Sequence, residues 1–177
     1  MSGADSLATL DCDGETKAMR IEGTETSGGR KTRTANSVEV LNRQRRRDMD
    51  RRRWQLFAAR VMEEIGLNGE MATVVFVSDE AIRKLNREFR GRDEATDVLS
   101  FPLSDPKQRI GGEPLGDVVI SVERAARQAA ENGLDFDREI AQLILHGLLH
   151  LCGYDHETDD GQMNRLELRL RRRLGII

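Results

Sequence analysis

The chain has 177 residues, of which 38% are hydrophobic and 33% charged, and its formal net charge is −3. This length and composition predict one soluble domain with an apolar core, and the charge argues against attraction of nucleic acid to the whole surface. No apolar stretch approaches membrane-spanning length and no Gly-rich phosphate loop is present, so we expect neither a membrane partner nor a nucleotide cofactor. Two cysteines and the lack of a signal pattern favour the reducing cytoplasm.

Residues 1–36 differ in composition from the rest of the chain. They are rich in Gly, Ser, Thr and Glu and contain few large apolar residues. A segment of this kind buries too little apolar surface to fold, so we predict a disordered N-terminal extension. Residues 37–177 are then expected to form the folded domain.

From residue 37 onward, strand-like and helix-like patterns follow one another. β-rich or alternating apolar runs predict strands at residues 37–41, 71–77, 97–101 and 118–121. Apolar spacings of three and four predict helices at residues 50–65, 78–89, 122–132, 136–151 and 160–174. In the second helix, Ile82, Leu85 and Phe89 are predicted to face the core. This order predicts an α/β (α+β) fold, a single domain with a mixed four-stranded sheet packed with a helical layer.

All three histidines of the chain lie within the segment HGLLHLCGYDH at residues 146–156. On a helix, His146 and His150 lie one turn apart on the same face. Gly153 stands where a helix favours a left-handed C-terminal residue, and a turn there would bring His156 back towards the other two. Three imidazoles with one open position are typical of catalytic zinc, so we predict one metal ion per chain on the helix and the following turn. Imidazole ligands alone would also accept copper or nickel.

The spacing of the histidines is close to that of a class of zinc proteases, with one important departure. Position 147 is Gly, where those proteases carry the Glu that serves as general base. Peptide hydrolysis is therefore disfavoured. Cys152 would point away from the metal face of a continuing helix, so we expect a small buried residue rather than a ligand.

Three motifs in order carry a family resemblance: TDVLSFP at residues 96–102, LGDVVIS at 115–121 and HGLLHLCGYDH at 146–156. Together they resemble the YbeY family of bacterial endoribonucleases, over residues 37–177. The resemblance implies a single-strand-specific, metal-dependent endoribonuclease of rRNA processing, including small-subunit rRNA 3′-end maturation, and of ribosome quality control. It implies RNA, the ribosome or its small subunit as partners, and zinc bound by His146, His150 and His156. It also implies that Arg90 is the basic residue of the active-site groove.

The remaining site candidates each have two interpretations. A guanidinium at Arg90 suits the negative charge that develops on a phosphodiester, although a helix C-terminus favours a cation anyway. Asp155 would orient a ligand imidazole or position water, or it is a local backbone acceptor of the turn. The attacking group is either water or the RNA 2′-hydroxyl. The basic run containing Arg45, Arg46 and Arg47 would follow an RNA backbone or form a solvated face.

Two other classes of function stay open at the level of sequence. One is a metallohydrolase of another bond, such as a peptide, against which Gly147 argues. The other is a non-catalytic ribosome-assembly factor with a structural metal, against which the open coordination position argues. The sequence does not indicate an oligomeric state.

Overall fold

The structure is a computed structural model that describes residues 34–106, 108–109, 112–155 and 159–177. Most of the predicted N-terminal extension, residues 1–33, and His156 therefore lie outside the described residues. The strands are β1 (Ser37–Asn42), β2 (Met71–Val77), β3 (Val98–Pro102) and β4 (Pro114–Ser121). The helices are α1 (Arg51–Ile65), α2 (Asp79–Arg90), α3 (Val122–Asn132), α4 (Phe136–Leu151) and α5 (Gln162–Leu174).

The strands form one mixed sheet in the order β1-β2-β4-β3. β1, β2 and β4 are parallel, and β3 pairs with β4 in the antiparallel direction. The predicted α+β domain with a mixed four-stranded sheet is confirmed. β4 begins at Pro114, four residues before the predicted strand. Pro114 and Gly116 are typical of loops, so the sequence pattern does not indicate that the strand starts there.

Helices cover both faces of this sheet. Alternate residues of β4 point to opposite faces, and Val118 belongs to the large apolar core with Ile144 and Leu148 of α4. Its neighbour Val119 belongs to a smaller cluster with Ile82 of α2. α4 and α2 therefore lie on opposite sides of the sheet. None of the described helices has the length and apolar character needed to cross a membrane.

The prediction for the core-facing side of α2 is correct at its start and wrong at its end. Ser78 caps the helix and Ile82 is fully buried, as the pattern indicates. Phe89, however, is 60% exposed. It lies in the last turn of α2 against the edge strand β3, so only one side of its ring is covered by the sheet.

Candidate metal centre and active site

α4 places the first two histidines at the end of a buried helix. Its first turn is capped by Asp135, whose side chain accepts from the backbone N–H of Arg138, and Leu148, Leu149 and Leu151 near its end are fully buried. Gly153 has φ of 90°, the left-handed conformation predicted for this position. Cys152 is 1% exposed, which agrees with the expectation of a small buried residue.

The imidazoles of His146 and His150 are in contact through their Nε2 edges. Their Nε2 atoms are 3.0 Å apart, and the ring centroids are 4.6 Å apart with the rings nearly perpendicular. One helical turn of separation explains the proximity of the rings. Two ring nitrogens thus converge on one point beside the C-terminal turn of α4.

Glu167 of α5 fixes the ring of His146 from the other side. Its Oε2 lies 3.1 Å from Nδ1 of His146, and its Oε1 accepts from the guanidinium of Arg171. Burial alone would raise the pKa of Glu167, but the hydrogen bond with His146 and the charge of Arg171 outweigh it. The pKa therefore lies below its ordinary value, and the buried carboxylate is ionised at neutral pH.

This contact decides which nitrogen of His146 is available to a metal. A carboxylate only accepts, so Nδ1 carries the proton that is donated to Glu167. In the neutral ring, Nε2 then carries the lone pair, and it is the nitrogen that lies next to His150. A carboxylate behind a ligand imidazole is the usual support of a protein metal site.

Glu167 was missed by the sequence analysis, although the sequence contains a signal for it. Met163, Leu170 and Leu174 of α5 are buried at helical spacing, and Glu167 stands in the same stripe at a position expected to be apolar. A carboxylate on the buried face of an amphipathic helix requires a polar partner. Its partner is His146.

Gly147 lies between the two histidines and faces the sheet. A Cβ at this position would lie 2.3 Å from Cγ1 of Val118, and the hydroxyl of Ser100 donates to the carbonyl of Gly147 at 3.1 Å. Space for a side chain is therefore lacking at position 147. The Glu that acts as general base in the similarly spaced proteases is excluded by packing as well as by sequence.

The predicted third ligand, His156, lies outside the described residues. Among the residues that the structure does describe, no group of three or more His, Cys, Asp or Glu side chains is placed to hold a metal. Asp155 is the last described residue before this gap, and its backbone carbonyl accepts from the N–H of Asp159 at 2.9 Å. The side chain of Asp159 in turn accepts from the backbone N–H of Met163, in the first turn of α5, at 2.8 Å.

Arg90 is the last residue of α2 and is exposed. The other three cations of this helix have carboxylate partners: Arg83 and Arg87 pair with Asp93, and Lys84 pairs with Glu80. Within the described residues Arg90 has no such partner. Its guanidinium is therefore available to a ligand.

The basic run lies at the other end of α4. The guanidinium of Arg47 lies 4.0 Å from the ring centroid of Phe136, the first residue of α4, and Arg46 pairs with Glu123 at 3.4 Å. Phe136 and His150 are fourteen residues apart, or about 21 Å along the helix. The structure brings His146 and His150 together and places Arg45, Arg46 and Arg47 far from them.

The fold and the comparisons with known proteins define a hydrolase that acts on RNA. The chain matches the family model described as Endoribonuclease YbeY over residues 39–175, and it belongs to this family. A protein of that name from Solibacter usitatus is 47% identical over 68% of this chain and 76% of the relative. Another, from Caldanaerobacter subterraneus, is 42% identical over 67% of this chain and 82% of the relative. The solution structure of a Thermotoga maritima protein is similar, with a TM-score of 0.53 and 27% identity over 77% of this chain and 88% of that protein.

Proposed function

We propose that this chain is a zinc-dependent, single-strand-specific endoribonuclease that processes rRNA, including the 3′ end of small-subunit rRNA, and acts in ribosome quality control. Membership of the endoribonuclease family supports the reaction class and RNA as the substrate. The observation that carries the metal part of the proposal is the convergence of the Nε2 atoms of His146 and His150 in front of Glu167. The ribosome or its small subunit is the proposed partner, in the cytoplasm.

The two described imidazoles fit a zinc ion in chemistry and in spacing. Zinc–imidazole bonds of about 2.0–2.1 Å in a tetrahedral site place two ligand nitrogens about 3.3 Å apart. The observed separation of 3.0 Å needs only a small outward rotation of either ring. His156 is the proposed third ligand, and the fourth position would be open to water or substrate.

Glu167, Asp155 and Arg90 have separate proposed roles around the zinc ion. Zinc, when bound, supplies a water of lowered pKa and polarises a phosphoryl oxygen. Glu167 holds the tautomer and orientation of His146, and Asp155 is proposed to orient water or an imidazole beside it. Arg90 presents a planar cation that binds two phosphoryl oxygens and stabilises the negative charge that develops during cleavage.

The basic run is proposed to bind RNA at a distance from the site of cleavage. Arg46 and Arg47 have partners in Glu123 and Phe136, whereas Arg45 is exposed and without an ion pair among the described residues. Arg45 is thus the member of the run that we propose contacts phosphate most directly. A distance of about 21 Å along α4 corresponds to a few nucleotides of extended single strand.

The experiment that tests this function uses the purified full chain. Single-stranded RNA, the same RNA as a duplex, and a peptide are incubated with the wild type, His150→Ala, Arg90→Ala and the control Arg87→Ala, and bound zinc is measured. We expect the wild type to cleave only the single-stranded RNA. His150→Ala should lose both cleavage and bound zinc, whereas Arg90→Ala should lose cleavage but retain zinc. Arg87→Ala should cleave like the wild type. RNA cleavage that survives His150→Ala, or cleavage of the peptide, contradicts the proposal. Absence of any cleavage with zinc bound would indicate an assembly factor instead.

A further inference from the structure

Phe89 is a large aromatic side chain on the surface next to the cation proposed for phosphate binding. Its side chain is 60% exposed. The ring contacts that of Phe101 in β3, with ring centroids 5.1 Å apart and an angle of 69° between the planes. This edge-to-face contact holds the ring in place and leaves much of it open to solvent. Phe89 is therefore a fixed, accessible aromatic surface.

The edge strand β3 connects this surface to the histidine pair. Consecutive residues of a strand point to opposite faces, and Ser100 and Phe101 are consecutive. The hydroxyl of Ser100 bonds to the carbonyl of Gly147, between His146 and His150, whereas the ring of Phe101 supports Phe89 on the other face. Adjacent Cα atoms are about 3.8 Å apart. The edge strand β3 thus contacts Phe89 on one face of the sheet and the helical turn between His146 and His150 on the other.

β3 is the edge strand of the sheet, and the RNA is proposed to cross the sheet at this edge. β3 is the last strand in the order β1-β2-β4-β3, and no strand of the described chain pairs with its outer side. A strand of RNA that crosses this edge meets the histidine pair on one face and Phe89 with Arg90 on the other. An exposed aromatic ring beside an unpaired cation is the usual combination in proteins that bind single-stranded nucleic acid.

The surroundings of Phe89 favour RNA over an apolar protein partner. Its neighbours in sequence are Arg87, Glu88, Arg90 and Arg92, all of which are exposed. The core of a protein interface is depleted in charged residues, whereas a nucleic-acid site combines them with aromatic rings. Phe89 is thus a single aromatic surface in a charged setting, which suits one nucleobase.

We propose that Phe89 stacks on an unpaired base of the bound RNA, next to a phosphate that Arg90 binds. This inference rests on the proposed function and adds a physical origin for single-strand specificity. A base in a duplex is already stacked and paired on both sides, so its face is not available to Phe89. An unpaired base has a free face on which the ring of Phe89 can stack.

Binding is tested with the metal-stripped full chain, so that cleavage does not interfere. The probe is a single-stranded RNA oligonucleotide in which a fluorescent adenine analogue, whose emission is quenched by stacking, is placed at each position in turn. We expect quenching at one position with the wild type and with Phe89→Tyr. Phe89→Ala should lose the quenching and bind about tenfold more weakly. Leu103→Ala, which removes a similarly exposed apolar side chain without a ring, is the matched control and should bind like the wild type.

Cleavage by the zinc-loaded chain separates this inference from the proposed function. For Phe89→Ala we expect a raised KM for single-stranded RNA, unchanged zinc content and a smaller preference for single strands over duplex. Equal affinity of Phe89→Ala and the wild type for the single strand, or equal weakening for single strand and duplex, overturns the stacking role. If the wild type cleaves no RNA but its binding still depends on Phe89, stacking stands and the proposed activity fails.

Discussion

Glu167 of α5 binds Nδ1 of His146 of α4 at 3.1 Å, across 21 residues of sequence. The packing of α5 against α4 therefore sets the orientation of an imidazole in the candidate metal centre. The same carboxylate is held by Arg171 one turn further along α5. Because both oxygens of Glu167 are engaged and the side chain is buried, the carboxylate has a single well-defined position from which to orient the ring.

We expect Glu167→Gln to lower the affinity for zinc by about 10- to 100-fold, because it removes the charge that supports the ligand imidazole. The measurement is a competition between the protein and a chelator of known affinity. Glu64→Gln is the matched control, since it breaks the ion pair with Arg173 between α1 and α5 without contacting a histidine. A loss of the same size in both variants would show that α5 packing alone explains the effect.

We expect Gly147→Ala to destabilise the folded chain by about 1–3 kcal/mol, because the added methyl group overlaps Val118 in a packed core. Urea unfolding in the presence of a chelator measures this without a contribution from metal binding. The double variant with Val118→Ala makes room for the new methyl group. Its destabilisation should be clearly smaller than the sum of the two single effects, and strict additivity would contradict the proposed overlap.

Local pattern was sufficient to predict most of the fold. The bounds of α3 and α4 agree with the sequence analysis, since apolar periodicity and glycine or aspartate at the ends specify them without tertiary information. The start of β4 was missed because its pairing with β2 overrides the loop-like Pro114 and Gly116. Such pairing depends on residues distant in sequence, which periodicity does not detect.

The candidate site was predictable only in part, for the same reason. The convergence of His146 and His150 follows from one helical turn, whereas the contact with Glu167 requires the packing of α5 on α4. Phe89 was assigned to the core because its spacing matches Ile82 and Leu85. Periodicity predicts which face of a helix is apolar. Whether the sheet covers the whole length of that face depends on the tertiary structure, and at Phe89 the cover is incomplete.

For Arg90 we expect substitution by Ala to lower kcat for RNA cleavage by about 100-fold or more, since it removes the proposed donor to the developing negative charge. Arg90→Lys should recover only part of this, because an ammonium group does not bind two oxygens in the fixed geometry of a guanidinium. Arg87→Ala is the control, as Arg87 lies one turn away and pairs with Asp93 at 3.6 Å. Steady-state kinetics with one RNA substrate provide the comparison, and equal losses at Arg87 and Arg90 would argue against a specific role of Arg90.

Glu139 of α4 should make stability depend on pH in a defined direction. Its side chain is buried, and this burial, with the nearby charge of Asp97, raises its pKa above the ordinary value of 4.5. The folded chain thus holds this proton more tightly than the unfolded chain, so ionisation of Glu139 weakens the fold as pH rises through the raised pKa. Glu139→Gln should therefore be more stable than the wild type at pH 7, with the difference disappearing as pH falls towards 4.5. Urea unfolding across this range measures it, with the exposed Glu88→Gln as control. A variant that is less stable than the wild type at pH 7 would mean that the Glu139 carboxylate has a favourable interaction that outweighs its burial.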